Sequence, residues 1–297
     1  MTIFINALWQ GLNYRGRESH WAFIFHRLSG LAVLAFLAIH ILDTATVYFF
    51  PALYEHAIGL YRTTPFMLGE IGLVAALLYH GLNGYKIIYF DQKPARWKVG
   101  NETKWFWAIV VASFLLWLPA AFLMGRALWL NNICQCAPAA ESGPVVFPAW
   151  ANTGIVLSLA AAVIIVARIA VIKSALPGVK RNFDTWMWLF MRWSGVLLVP
   201  LAWVHALINA VLVGVHAIDL DYVALRWASI GWQAYDIALL AFTFAHGMNG
   251  LRTVVNDYFH DEGLNKFLNR ALLIAWLVIT IIGAVAIIGG VRSATGV

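Results

Sequence analysis

The chain has 297 residues, 62% of them hydrophobic and only 11% charged, with a formal net charge of +6 and a mean hydropathy of +0.77. A soluble core cannot consume that much apolar sequence, so the composition points to a polytopic membrane protein. The basic residues sit in alternate loops rather than along one helix face, which argues against a nucleic-acid partner.

Taken in chain order, apolar runs long enough to span a bilayer, about 20 residues each, fall at about 24–48, 66–90, 105–129, 153–173, 187–215, 230–255 and 268–290. Pro51, Pro65, Pro94, Pro138, Pro144, Pro148 and Pro177 punctuate the intervals, and Trp and Tyr gather near the ends as interfacial anchors do. The expected fold is all-α transmembrane, with seven helices. Arg15 and Arg17 precede the first run, which lacks the short apolar core and small-residue cleavage site of a signal peptide.

One set of loops carries Arg15, Arg17, Lys93, Arg96, Lys98, Lys104, Lys173, Lys180, Arg181, Lys266 and Arg270. The opposite set has Arg62, Arg126, Arg226 and Arg292. The positive-inside rule then puts the N-terminus in the cytoplasm and the C-terminus outside. The basic loops form the expected docking face for a soluble partner or for acidic lipid.

The chain also repeats itself. Arg27-Leu28-Ser29-Gly30 is followed by His40, thirteen residues after the arginine, and Arg192-Trp193-Ser194-Gly195 by His205 at the same spacing. The run His80-Gly81-Leu82-Asn83-Gly84 is echoed by His246-Gly247-Met248-Asn249-Gly250, and an aspartate follows each histidine by eleven residues, at Asp91 and Asp257. We divide the chain into a three-helix repeat over 1–130, a loop and connector transmembrane helix over 131–180, and a second three-helix repeat over 181–297. Two parallel repeats of three spans both begin inside only if one extra helix returns the chain, which explains the odd number.

Ionisable groups at membrane depth default to function. Four histidines in two symmetric pairs suit haem iron, whose two axial positions take one imidazole from each repeat: His80 with His246, and His40 with His205. At 1.5 Å per residue, His40 lies roughly 15 Å from the outer surface and His80 roughly 22 Å from it, so two layers are expected, an inner and an outer haem held between the repeats. Gly84 and Gly250, four residues after their histidines, would make room for a macrocycle. Arg27 and Arg192, with His26, are candidates for anionic haem propionates, simple anchoring at the basic surface being the other reading. A proton or cation relay through the histidines is the competing class. Against it, the intramembrane carboxylates Asp43, Glu70 and Asp236 look scattered and unpaired. A transporter with parallel repeats would need helices broken at matching midplane positions, and none is evident. Cys134 and Cys136 are too few for a cluster, and a bond across one residue would be strained, so we assign them no role.

The stretch His26-Arg27-Leu28-Ser29-Gly30 resembles the HR-x-SG element that opens the first helix of the large cytochrome b anchor of succinate dehydrogenase. His246, with Asp257-Tyr258 eleven and twelve residues on, resembles the small anchor. The likeness covers both repeats, as if two anchors were fused through a connector. It implies a membrane-anchor subunit of succinate:quinone oxidoreductase in a prokaryotic cytoplasmic membrane, with no succinate chemistry of its own. Flavoprotein and iron–sulfur subunits would dock on its cytoplasmic face, and the whole complex could form a higher oligomer. Arg27 and Tyr258 match the quinone-site arginine and tyrosine, with Asp257 beside them. His40 and His205 resemble the outer pair of di-haem members, which are associated with menaquinone. The implied cofactors are thus two haem b and a quinone. One departure is Phe23, where the family often has a quinone-contacting serine; Ser19, His26 or Ser29 would have to substitute. A quinol:fumarate reductase anchor, or the di-haem cytochrome b of another respiratory dehydrogenase, is the alternative.

Overall fold

The computed structural model describes residues 16–136, 149–171 and 182–292, together with Trp9, Asn13 and Tyr14. Arg15, Lys173, Lys180 and Arg181, counted above as topology markers, lie outside the described residues. Within them all regular structure is helical.

Helix α1 runs Glu18–Phe49, and Pro51 opens the short α2, Pro51–Tyr61, at the position where a missing N–H costs nothing. Helix α3 is Thr64–Gln92, again with proline in its first turn. After a single 3₁₀ turn at Pro94–Arg96, α4 spans Val99–Leu128 and ends in a π turn, Trp129–Ile133. Helix α5 is Ala149–Val171. Helix α6 starts at Phe183, capped by Asn182, whose side chain accepts from the Thr185 N–H at 2.9 Å. Pro200 cannot donate to the helical ladder, and here α6 widens into π turns at Val199–Trp203 and Leu207–Val213 around Val204–Ala206. Helix α7, Leu220–Trp227, and α9, Glu262–Gly289, are capped by Asp219 and Asp261; α8, Ile230–Tyr258, lies between them.

Among the described residues, five helical stretches are long and apolar enough to cross a membrane: Glu18–Phe49, Thr64–Gln92, Val99–Ile133, Phe183–Val213 and Glu262–Gly289. The other two predicted spans fall on α5, whose apolar stretch Ala151–Ile165 is shorter, and on α8, which carries Asp236, Arg252 and Asp257. Large apolar side chains such as Leu115, Phe122 and Ile281 are exposed on the outside of the bundle.

The order of elements is long, short, long, long before α5 and again after it. Helices α1, α3 and α4 pack together, α8 packs on both α6 and α9, and the halves meet where α1 touches α8 and α9 and α3 touches α6. Helices α2 and α7 pack on each other over one end, and Tyr54, Tyr222 and Trp227 join the same core as Leu34, Ile41 and Phe244. We call this the capped end; the basic end is the opposite one, with Lys93, Arg96, Lys98 and Lys266. Helix α5 packs on α6 and α8 through Ala151, Ile155, Leu201, Ile208, Trp232 and Tyr235, and so belongs with the second half.

Cys134 and Cys136 differ from expectation: they are joined by a disulfide, with Cα atoms 5.2 Å apart. Gln135 between them adopts the left-handed conformation (φ 55°), which brings the flanking residues within bridging distance.

Helix α9 approaches its neighbours through glycine. A Cβ at Gly283 would stand 2.9 Å from Leu240 Cδ2 and 3.0 Å from Ile41 Cγ2, whereas one at Gly125 would meet nothing within 4 Å. Gly283→Val should therefore overpack the α1–α8–α9 junction and cost about 1–3 kcal/mol. Thermal unfolding in detergent should show the loss for Gly283→Val and none for Gly125→Val.

Candidate functional site

Each half contributes one motif to a shared site near the basic end. His80 of α3 and His246 of α8 face each other with ring centroids 6.2 Å apart and planes at 88°. His80 Nδ1 lies 3.0 Å from the His26 carbonyl oxygen and 3.5 Å from Ser29 Oγ. His246 Nδ1 lies 2.8 Å from Ser194 Oγ, whose own hydroxyl donates to the Phe190 carbonyl at 2.6 Å. A serine already donating elsewhere must accept, so His246 Nδ1 carries the proton; the His26 carbonyl imposes the same tautomer on His80. Nε2 is then the unprotonated, acceptor atom of both rings.

The serine and glycine of R-x-S-G thus act on the histidine of H-G-x-N-G in the neighbouring helix. A Cβ at Gly30 would lie 2.7 Å from His80 Cε1, and one at Gly195 would lie 3.7 Å from His246 Cε1. Space beside the rings comes from these glycines rather than from Gly84 and Gly250, whose Cβ positions look toward His26 and Met191. Sequence alone missed this role because a helical serine ordinarily bonds its own preceding turn, as Ser194 also does.

The arginines of the same motif cross between the halves. Arg27 of α1 is ion-paired with Asp257 of α8, and Arg192 of α6 with Asp91 of α3, Nε to Oδ2 2.9 Å. Arg27 lies over the Phe23 ring at 4.1 Å, with the Tyr258 ring centroid 6.0 Å away; Arg192 lies over Trp188 at 4.2 Å. Arg27, Asp257 and Tyr258 are therefore one cluster, and Phe23 is part of its wall. His26 is placed differently from a surface contact: its ring stacks on His80 at 4.1 Å with planes 3° apart, and its Nδ1 is buried with no hydrogen-bond partner in the structure. Lys86 and Glu102 form a further buried pair at 3.6 Å, between α3 and α4.

Toward the capped end, His40 of α1 and His205 of α6 have ring centroids 6.1 Å apart and planes at 76°. A cavity of about 290 Å³ opens beside them. Asp43, Glu70 and Asp236, which looked scattered in one dimension, all line it. Two of the three also have partners. Asp43 accepts from the Tyr61 hydroxyl at 2.6 Å. Asp236 accepts from Arg226 through both carboxylate oxygens and from Trp227 Nε1 at 3.0 Å. Arg226, counted above as a loop residue, is in fact buried, its side chain 5% exposed. It also reaches Asn209 Oδ1 at 3.1 Å and lies 3.4 Å from His205 Nδ1.

A metal–imidazole bond of about 2 Å puts two axial rings on one iron with centroids about 6 Å apart. Both pairs meet that spacing. Among the described residues no group of three or more His, Cys, Asp or Glu could hold a metal ion by itself. Haem supplies its own equatorial nitrogens, so two facing histidines are the donor set it requires.

The sequence pattern of the succinate dehydrogenase/fumarate reductase transmembrane subunit matches residues 10–120 and 171–287, and the chain belongs to that family. It is 36% identical over 118 residues to the succinate dehydrogenase 2 membrane subunit SdhC of Mycobacterium tuberculosis, covering 39% of this chain and 84% of that protein. It is 32% identical over 112 residues to the succinate dehydrogenase hydrophobic membrane anchor subunit of Halobacterium salinarum, covering 34% of this chain and 82% of that protein. The chain is thus a multi-pass membrane subunit, similar to the anchors of an enzyme complex.

The crossed ion pairs generate a test. In a double-mutant cycle, Arg192→Gln and Asp91→Asn should each lower the thermal midpoint of the purified chain, and their combination should cost less than the sum. We expect a coupling of about 1–2 kcal/mol, in the range for contacting pairs; strict additivity would show that the pair does not join the halves.

Proposed function

We propose that this chain is the cytochrome b anchor of a succinate:quinone oxidoreductase, holding two b-type haems between its halves and passing electrons from an iron–sulfur partner to quinone. The observation that carries the reading is the pairing of equivalent histidines across the two halves at haem-ligand spacing, twice over. The family pattern matches two separate stretches, residues 10–120 and 171–287, one in each half, and this supports two anchors in one. In this reading the connector is α5, the seven long helices all cross the membrane, and the basic end faces the cytoplasm. The flavoprotein and iron–sulfur partners dock there.

His80 and His246 hold the inner iron and His40 and His205 the outer. A haem bound at each pair supplies a one-electron carrier. Ser194, and the His26 carbonyl with Ser29, fix the tautomer and orientation of the inner ligands. The His26 ring and the Arg192 guanidinium would meet propionates of the inner haem. Arg27 and Tyr258 offer a guanidinium and a phenol to a quinone oxygen as it gains charge, and Asp257 aims the guanidinium. Phe23, in the position where the family often has serine, gives the ring an apolar wall. Menaquinone is the quinone we assign. The same residues would serve quinol oxidation if the partner reduced fumarate.

A pyridine-haemochrome assay on the purified complex should give two haems per chain. His246→Ala should remove one of them. Ser194→Ala should retain both but shift the midpoint potential of one, because a histidine free to rotate and to change tautomer is a poorer ligand. One haem per chain in the unmutated complex would restrict the reading to the inner pair.

A further inference from the structure

The chain has two cysteines, and both lie in one bridge, Cys134–Cys136, just past the end of α4. Helix α4 starts at the basic end, so the bridge lies at the capped end. A disulfide closing over a single residue removes little freedom from the unfolded chain, which makes it a poor staple for the fold. Both cysteines are exposed, and exposed disulfides are the ones that thiols open.

The backbone shows what the bridge does locally. The Cys134 N–H donates to the Trp129 carbonyl at 2.8 Å and the Cys136 N–H to the Leu130 carbonyl at 3.0 Å, closing the π turn that ends α4. Between them Gln135 stands at φ 55°, in the conformation that helix C-terminal caps usually give to glycine. A residue with a Cβ leaves that region unless something holds it there, and the bridge spans it.

The same turn carries a clasp between the halves. Asn132 Nδ2 donates to the Arg62 carbonyl at 2.8 Å and to Thr64 Oγ1 at 3.3 Å. Arg62, in the link between α2 and α3, donates from Nη2 to the Ile218 carbonyl at 2.8 Å and from Nε to the Val215 carbonyl at 3.4 Å. Those carbonyls belong to the loop that follows α6, which walls a cavity of about 220 Å³ together with Asn131. Bridge, turn, Asn132, Arg62 and the second half thus form one chain of contacts.

We propose that Cys134 and Cys136 are a thiol–disulfide exchange site for a low-molecular-weight thiol at the outer aqueous surface, and that the bridge holds the Asn132–Arg62 clasp shut while the dithiol releases it. A thiolate attacks one sulfur of the bridge, forming a mixed disulfide and expelling the other cysteine as a thiolate, which takes a proton from water. A second thiol then attacks the small-molecule sulfur of the mixed disulfide. Two thiols are oxidised to one disulfide, and the bridge gains two electrons and two protons; the reverse sequence re-forms it. The inference rests on the orientation proposed above, which puts the capped end outside, where disulfides persist. It does not depend on the haems.

The experiment equilibrates the purified full complex in glutathione redox buffers, traps the thiols by alkylation and weighs the chain, with amide hydrogen exchange followed in the same samples. The bridge should open and close reversibly, and the dithiol form should lose protection over 62–64, 129–136 and 214–218 while the rest of the bundle keeps it. Gln135→Gly, which holds the left-handed turn unaided, should keep that protection in the dithiol form. The double variant Cys134→Ser with Cys136→Ser should lack it in every buffer. A bridge that glutathione leaves closed in the folded complex, or two free thiols in the most oxidising buffer, would overturn the exchange site whatever the orientation. Opening with protection unchanged would overturn the clasp. A membrane-impermeant maleimide should label the reduced pair in sealed vesicles that expose the outer face; labelling confined to inverted vesicles would overturn the orientation, and with it the outer thiol as substrate.

Discussion

The bundle depends on two arginines that reach across it. Arg27 in the first half pairs with Asp257 in the second, and Arg192 in the second pairs with Asp91 in the first. Each half supplies one arginine and one aspartate, so neither pair exists until the halves are together. These contacts lie in the same R-x-S-G motifs whose serines orient the histidines. Locking α1 to α8 and α6 to α3 at their basic ends therefore also sets the depth at which His80 meets His246. A half-turn slip of either helix would separate the arginine from its aspartate and the serine from its imidazole together. Partly buried charge-assisted pairs of this kind specify register more than they stabilise, since desolvation offsets much of their Coulombic gain.

The two histidine layers are built to different standards. In the inner layer both Nδ1 atoms are committed to fixed acceptors, the His26 carbonyl and Ser194 Oγ. In the outer layer His205 Nδ1 faces the Arg226 guanidinium at 3.4 Å, and Asp236 Oδ1 stands 4.0 Å away. A guanidinium only donates, so His205 Nδ1 faces it as an acceptor, the opposite of the inner-layer Nδ1 atoms. The outer pair thus sits beside a buried charge pair, the inner one among neutral hydrogen bonds. With the haems proposed above, the two sites would carry different potentials.

The approach of the histidines in two pairs was legible in the sequence because matching spacings recur far apart along the chain. Matching spacings of thirteen and eleven residues in two places leave little freedom for where the equivalent side chains lie. The crossed ion pairs were half legible: Asp91 and Asp257 showed as repeats, but a one-dimensional pattern does not say that the arginine of one copy pairs with the aspartate of the other. The Arg226–Asp236 pair was hidden for a different reason. Arg226 lies at the end of a short helix and Asp236 in the second turn of the next long one, so they meet only after a turn at Ala228–Ser229 folds the chain back. Arg226 then looked like a loop charge and Asp236 like an isolated one. The glycines show the same limit. Gly84 and Gly250 lie on the histidine's own helical face, but what fills the space beside a ring is the neighbouring helix, which brings Gly30 and Gly195 there.

Helix α5 breaks the symmetry that the rest of the chain keeps. It packs against α6 and α8 through a core in which Tyr235 is fully buried and donates to the Leu201 carbonyl at 2.5 Å. That carbonyl belongs to the π turn that Pro200 helps to open, where the widened ladder leaves acceptors for side chains to satisfy. The π turns flank His205 and displace it from the register of an ideal helix, and Asn209 donates back to the His205 carbonyl at 2.8 Å. His40, in an uninterrupted α1, has no such surround. The second half therefore holds its outer histidine beside a buried ion pair, and among the described residues Glu70 of the first half has no hydrogen-bond partner beside the same cavity. Helix α5 is the simplest physical source of that difference, because it supports α6 and α8, whereas among the described residues their counterparts α1 and α3 have no equivalent neighbour.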